Sequence, residues 1–456
     1  MKRVVVTGLG VISPLGNAPG LLFDSLIQAR CGIGRIDAPW AASLATPYAG
    51  IASCDLEAHF PKIKRSSLDR VTMLALLAAR QAAAHAGIAA TLSADQAASE
   101  QTGLYWSTGM GGAHTLEAAY QELLVTRAPR LRPATIVMVM NNAATGQIGI
   151  DLSIRGPSYT YSSACSSSAV AIGEAFRAIR FGLVKTAIAG GSEALLTEGV
   201  VKAWESLGTL ARLREDKQAQ ADGAATGSRD AAAGSRDAAV SSRDAAISSR
   251  DAAISSRDAA TACRPFAADR SGFLLGEGAA ALVLEERDAA RARGAQILGE
   301  ITGFGNTTDA GHITQPDPRG QARAMRAALM EAQLAPDQID HINAHGTGTK
   351  VGDAAETRAI HDVFGSHAPR IAVSATKALH GHLMGATGAL ETIAALLALR
   401  ERVAPPTAHL WHPDPECDLD YVPLTARALP QARHAMSNSF GFGGNNAVLV
   451  LRRDDT

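Results

Sequence analysis

Two hydrophobic rhythms alternate along this chain. Runs of β-branched or small apolar residues read as buried strands: residues 3–10, 103–107, 186–193, 278–284, 295–303 and 339–343. Between them, apolar positions fall three and four residues apart. Leu68, Val71, Leu74 and Leu77 predict a helix over Ser67–Ala86. Val170, Ile172, Phe176 and Ile179 predict another over Ala169–Phe181, and a third is expected over Gly320–Ala332. Strands alternating with helices imply layered α/β architecture with a mostly parallel sheet. From Ala295 the order strand, glycine turn (Gly303-Phe304-Gly305), helix, strand repeats the order that begins at Arg3, which implies a duplicated pair of halves, 1–290 and 291–456.

One stretch breaks both rhythms. Residues 227–261 are five seven-residue units, from GSRDAAA to SSRDAAT. A heptad period suggests a coiled coil, yet each unit offers alanines and at most one Val or Ile. So little apolar area hardly offsets the entropy of ordering, and a surface loop or marginal exposed helix is expected for an insertion at about 217–262.

Composition narrows the class. The 456 residues are 46% hydrophobic and only 4% aromatic, with mean hydropathy +0.03, which suits close-packed helices on sheets. A net charge of −1 argues against nucleic acid or anionic membrane as partner. The best candidate membrane span, Leu383–Leu399, is interrupted by Glu391. The five cysteines lack paired spacing, so neither a zinc site nor a disulfide framework is expected. With no signal-peptide core at Met1-Lys2-Arg3, the expectation is a reduced, cytoplasmic protein. Gly8-x-Gly10 begins like a dinucleotide fingerprint, but Ser13 replaces the third glycine and Pro14 interrupts the helix.

Candidate chemistry sits in four loops. Ser162-Ser163-Ala164-Cys165-Ser166-Ser167-Ser168 places a cysteine before a predicted helix, where the free N–H groups and macrodipole favour a thiolate. Asn343-Ala344-His345-Gly346-Thr347-Gly348-Thr349 sets a histidine past a strand end, and Thr376 to Gly388 sets His380 and His382 before another helix. Strand C-termini and helix N-termini are where open α/β folds bind ligands. Asn438-Ser439-Phe440-Gly441-Phe442-Gly443-Gly444 is flexible enough to turn backbone N–H groups toward an oxyanion.

These motifs in this order resemble the β-ketoacyl-acyl carrier protein synthases, elongating condensing enzymes of the thiolase superfamily. VTGLGVISPLGN, SSACSSSA, AGGSEA, RPFAADRSGFLLGEGA, NAHGTGTKVGD, TKALHGHLMGATGALE and NSFGFGG carry the resemblance across nearly the whole chain outside the insertion. It implies a thiolase-like α/β fold, duplicated in α-β-α-β-α layers with mixed five-stranded sheets. The implied reaction is decarboxylative Claisen condensation, extending an acyl chain by two carbons. Cys165 would be the nucleophile, and His345 and His382 the decarboxylating pair. Lys377 and Glu391 would support them, Phe440 would be the mobile residue beside the sulfur, and the N–H groups of Cys165 and Phe440 would form the oxyanion hole. Thr347 and Thr349 would hold the phosphopantetheine arm, and Met110 and Trp204 would line the acyl pocket. Lys62, Lys64, Arg65, Arg130 and Arg132 would dock an acidic acyl carrier protein. No cofactor is implied beyond a structural monovalent cation at Asn343, Glu391, Ser437 and Asn438. A homodimer is expected, or a heterodimer with a homologous subunit. Two alternatives weigh less: a thiolase would need a second cysteine where a histidine stands, and a chain-length-factor-like subunit would lack Cys165. Trp204, His380 and Asn445 depart from the commonest fatty-acid pattern, so a polyene or polyketide pathway stays open.

Overall fold

The structure is a computed structural model describing residues 1–212 and 260–454; the repeats lie outside these residues apart from Ala260 and Thr261. In chain order the strands begin with β1 (Val4–Ile12), β2 (Ile33–Arg35), β3 (Tyr48–Gly50), β4 (Thr102–Ser107), β5 (Ser158–Tyr161), β6 (Thr186–Glu193) and β7 (Gly278–Glu286). They continue with β8 (Gly299–Thr308), β9 (His341–Asn343), β10 (Ala372–Ser374), β11 (Val403–Ala404), β12 (Arg427–Ala428), β13 (His434–Gly441) and β14 (Asn445–Arg452). Strands β2–β3 and β11–β12 form small separate ribbons; the other ten form one sheet, ordered β10-β9-β13-β14-β8-β1-β7-β6-β4-β5.

That order contains the duplication. Numbered within its own half, each set of five strands reads third, second, fourth, fifth, first. In both halves the third, second and fourth strands pair in parallel, and the fourth, fifth and first pair antiparallel. The sheet is therefore mixed rather than mostly parallel. Val4–Val6 pairs with Gly299–Ile301 and fuses the two halves into one sheet.

Two helices pack between the halves. The helix Ser167–Arg180 carries a buried face that includes Ile172, Phe176 and Ile179. The helix Thr387–Glu401 is buried from Thr387 through Leu399 on every side, as a central helix that is apolar all round should be. They touch near their N-termini, where the Ala389 N–H donates to Ser168 Oγ at 2.9 Å. The loop preceding each helix is thereby brought to one place, and those loops hold Cys165 and His382.

The glycine-rich segments of β1 and β8 are not turns. The backbone runs extended through Gly8 and Gly10, and through Gly303 and Gly305. Their glycines admit a crossing helix. A Cβ on Gly8 or Gly10 would lie 2.3 or 2.0 Å from a carbonyl oxygen of the helix Arg70–His85. On Gly303 or Gly305 it would lie 2.1 or 1.9 Å from the helix Pro318–Ala332. The outer helices thus ride directly on the strands in both halves. Among the described residues no helix is long and apolar enough to cross a membrane. Replacing Gly305 with Ala should cost about 1–3 kcal/mol through overpacking, read as a lower urea midpoint with little change in m-value.

Candidate active site

The nucleophile candidate sits on a constrained elbow between β5 and the helix Ser167–Arg180. Ala164 adopts φ +53°, a left-handed conformation that costs a residue with a Cβ of order 1 kcal/mol. Neighbouring serines hold it there. The Ser163 N–H donates to Ser167 Oγ at 2.8 Å, and the Ser166 and Ser167 hydroxyls donate to the Ser163 and Ala164 carbonyls at 2.8 and 2.6 Å. Cys165 immediately precedes Ser166, the N-cap residue. Gly441 lies against this elbow, where a Cβ would be only 3.2 Å from the Cys165 nitrogen.

Burial, not the helix start, dominates the thiol. It pushes Cys165 up to about 12, against the opposing pull of Lys377 and of the Phe442 and Cys165 backbone N–H groups. The resting form is therefore a thiol, which corrects the expectation of a standing thiolate.

His345 follows β9 in a loop pinned from the helix Lys350–Phe364. The buried Glu356 carboxylate accepts from the His345 and Gly346 N–H groups, both at 2.9 Å, and from Asn438 Nδ2 at 3.0 Å. Lys377 Nζ donates to the His345 carbonyl and lies 3.4 Å from His345 Nδ1. His382 Nδ1 accepts from the Met384 N–H at 3.3 Å and sits 2.9 Å from Thr387 Oγ1. A nitrogen that accepts carries no proton, so each ring keeps its hydrogen on Nε2. His382 Nε2 is buried with no partner. Burial and the nearby Lys377 hold both rings well below the ordinary histidine value, as neutral donors.

Cys165, His345 and His382 present side-chain atoms within 4.8 Å of one another. The two imidazoles meet edge to face at 5.5 Å, and Phe273 lies against His382 at 5.1 Å. All three side chains line a cavity of about 430 Å³, whose walls include Trp204, Thr347, Thr349, Phe440 and Phe442. Lys377 and Glu391 lie behind it, fully buried and paired at 2.7 Å. Cys417 lies in a separate apolar cluster with Phe266 and Tyr421, outside this cavity.

Two sequence assignments move. Phe440 lies inside β13 opposite Asn446, with its ring edge-on to His345 at 5.9 Å. The loop N–H that reaches the Cys165 sulfur belongs to Phe442, whose ring stacks on Trp204 at 5.9 Å. The doubled phenylalanine of the FGFGG motif held both choices, and strand pairing decides between them. Met110 does not line the Cys165 cavity; it lines a neighbouring apolar cavity of about 730 Å³, with Trp204 and Leu207 lining both.

Sequence reading also missed Glu193. Its buried carboxylate accepts from Thr108 Oγ1 at 3.0 Å and from the Gly109 and Gly385 N–H groups at 2.6 and 2.9 Å. It ties the Met110 loop to the turn after His382. Of the basic residues, Lys62, Arg130 and Arg132 are exposed, whereas Lys64 pairs with Asp151 at 3.3 Å and Arg65 pairs with Glu57.

Asn343, Ser437, Asn438 and Glu391 occupy facing elements. Ser437 pairs beside Asn343 across β13 and β9, and the helix carrying Glu391 packs on both strands. Asn343 Oδ1, Ser437 Oγ, Asn438 Oδ1 and Glu391 Oε2 are all buried without a hydrogen-bond partner. Such orphaned oxygens are uncommon in a folded interior and call for an explanation.

Comparison with known proteins agrees with this geometry. The model of the β-ketoacyl synthase N-terminal domain matches residues 1–233 and 224–290, and that of the C-terminal domain matches 298–411. The 3-oxoacyl-[acyl-carrier-protein] synthase 2 of Staphylococcus aureus is 37% identical, covering 99% of this chain and 98% of that protein. Its namesake from Synechocystis is 38% identical over the same shares. Among solved structures, a β-ketoacyl synthase from Burkholderia phymatum superposes with TM-score 0.82 at 32% identity, covering 100% of both chains. The ishigamide ketosynthase/chain length factor has the same TM-score at 30% identity, covering 99% of each. A type II polyketide ketosynthase in complex with its acyl-carrier protein also reaches 0.82, at 25% identity and 100% coverage of both. Fold and site define a thiolase-like condensing enzyme. The chain belongs to the β-ketoacyl synthase family.

Proposed function

We propose that this protein is an elongating 3-oxoacyl-[acyl-carrier-protein] synthase, with Cys165 as acyl acceptor and His345 and His382 as the decarboxylating pair. The observation that carries this reading is the convergence of one thiol and two neutral Nε2–H donors in one cavity. In the first half-reaction the Cys165 sulfur attacks an acyl thioester. Its proton leaves with the departing carrier thiol, so no standing thiolate is needed. The Cys165 and Phe442 N–H groups receive the oxyanion, as they receive the sulfur at rest. In the second, a malonyl thioester loses CO2, and the two Nε2–H donors stabilise the enolate oxygen without changing charge. The enolate carbon then attacks the acyl-Cys165 carbonyl, the C–S bond breaks, and a β-ketoacyl product two carbons longer departs while the Cys165 thiolate takes a proton from solvent. Thr347 and Thr349, at the cavity wall, suit the amide-rich arm of a carrier-bound substrate.

Cys165→Ala should abolish acyl-enzyme formation, seen by intact-mass spectrometry, while retaining malonyl decarboxylation. His345→Ala and His382→Ala should each slow decarboxylation about 10²–10³-fold, the usual loss for one oxyanion donor. Normal CO2 release by either histidine variant would remove that residue from the mechanism.

The orphaned side-chain oxygens of Asn343, Ser437 and Glu391, on β9, β13 and the helix packed against them, suit a hard monovalent cation, whereas the Asn438 side chain is turned to the other face of β13, where it donates to Glu356. Bound there, such an ion would supply positive charge to the interior and fix Glu391 against Lys377.

Carrier-protein recognition is assigned to the exposed Lys62, Arg130 and Arg132 through charge steering; Lys64 and Arg65 already hold internal partners. Arg130→Glu with Arg132→Glu should raise KM for a carrier-bound substrate about tenfold at low salt, with kcat nearly unchanged. An unaltered KM would exclude these two residues from docking.

A homodimer is supported by β5, an open sheet edge with Tyr159 exposed, flanked by the exposed apolar residues Ile136, Val137 and Ile150. The opposite edge is covered, since the β10 Val373 N–H donates to the Asp420 carbonyl at 2.8 Å. Sedimentation velocity should give twice the chain mass at micromolar concentration; a monomer would exclude this pairing.

A further inference from the structure

Glu193 ends β6 as a fully enclosed carboxylate that has no part in the two half-reactions and does not line the reaction cavity. Four donors converge on it. Oε1 accepts from Thr108 Oγ1 at 3.0 Å and, more weakly, from the Met110 N–H at 3.4 Å. Oε2 accepts from the Gly109 N–H at 2.6 Å and the Gly385 N–H at 2.9 Å. Thr108, Gly109 and Met110 belong to the loop after β4, whereas Gly385 belongs to the turn after His382.

That turn is held in an unfavourable shape. Met384 adopts φ +43°, a left-handed conformation that disfavours any residue with a Cβ. Gly385 is gripped on both sides: Glu193 takes its N–H, and Ser107 Oγ, 3.0 Å from its carbonyl oxygen, shares a proton between that oxygen and the Gly190 carbonyl. The fit is tight, since a Cβ on Gly385 would lie 2.4 Å from the Gly109 nitrogen and 2.8 Å from Glu193 Oε2. Held so, the Met384 N–H donates to His382 Nδ1 at 3.3 Å, and Thr387 Oγ1 is the second partner of that nitrogen at 2.9 Å. A backbone N–H can only donate, so it fixes Nδ1 as an acceptor and leaves the proton on Nε2. A hydroxyl alone could accept instead, which would permit the other tautomer.

We propose that Glu193 is a positioning residue for His382: by clamping Gly385 it keeps the Met384 N–H on Nδ1, and so keeps the ring proton on Nε2, where decarboxylation uses it. This rests on the reading of His382 as one of the decarboxylating pair. Without the clamp, Met384 relaxes from its left-handed conformation and Nδ1 is left to the Thr387 hydroxyl. The ring then divides between two tautomers, and only one of them can donate to the enolate oxygen.

The test uses the full-length protein and follows two steps separately: acylation of Cys165 by an acyl thioester, read by intact mass, and malonyl decarboxylation, read as CO2 release. Glu193→Ala should lower kcat for decarboxylation about 10–100-fold, the scale of a misplaced catalytic group. The KM for the malonyl thioester and the rate of Cys165 acylation should each stay within about threefold. Glu193→Gln keeps one carbonyl oxygen for the Gly109 and Gly385 N–H groups and should hold decarboxylation within about threefold of native. Added to His382→Ala, Glu193→Ala should slow decarboxylation no further, because it acts only through that ring. A merely structural role would depress both steps together and would add to the His382→Ala loss; either result would overturn the proposal. Glu193→Asp withdraws the oxygens by one methylene and should show the same selective loss at smaller size. A native decarboxylation rate in Glu193→Asp would overturn the proposal even if Glu193→Ala failed to fold. Unimpaired decarboxylation in His382→Ala would sink the reaction assignment. With His382→Ala impaired, a native rate in Glu193→Ala would sink this inference alone.

Discussion

The site depends first on one buried ion pair. Lys377 and Glu391 are both wholly enclosed and meet at 2.7 Å. Two charges taken out of water carry a heavy desolvation cost, which their attraction offsets only if the remaining polar atoms are also satisfied. Lys377 meets that condition by donating to the His345 carbonyl and reaching His345 Nδ1. Glu391 meets it only in part, since one oxygen stands without a partner. The pair therefore does two things at once. It determines which nitrogen of His345 carries the proton, and it turns one Glu391 oxygen to Lys377 and the other away from it.

The duplicated fold explains how reagents from distant parts of the chain meet. Each half sends one helix to the central layer, and the two helices touch near their N-termini. The loop before one carries Cys165 and the loop before the other carries His382. His345 arrives from the end of β9 and is pinned by Glu356. Glu193 adds a second tie across the halves, from β6 to the turn after His382. Cys165 and the two histidines thus belong to opposite halves, which the pairing of β1 with β8 locks together.

Burial gives this site its chemical character. It holds both imidazoles well below the ordinary histidine value, and it raises the Cys165 thiol. Neutral histidine donors suit the proposed condensation, in which the negative charge of the malonyl carboxylate passes to the enolate as CO2 leaves. Hydrogen-bond donors fixed in advance, on side chains that are themselves buried, are worth more there than in solution.

Much of this was legible in the order of residues. Cys165, His345 and His382 stand in loops of small residues next to strand ends and helix starts, and local spacing is enough to mark such loops. The duplication was visible because strand and helix rhythms are themselves local. What required the tertiary structure depends on contacts between segments far apart. Gly8-x-Gly10 and Gly303-x-Gly305 read as turns, but a helix backbone from about 70 residues away, or from the next helix, needs their missing Cβ atoms to lie on the strand. Phe440 and Phe442 are equivalent in sequence, yet only the second lies beyond the end of β13, where its N–H is free to turn toward sulfur. Met110 follows a strand that ends near the site, but Trp204 stands between it and the Cys165 cavity. Residue type and local spacing determined which chemistry the chain could carry. Close packing between distant segments decided which backbone N–H faces the sulfur, which side chain walls the cavity, and which form each reactive group takes.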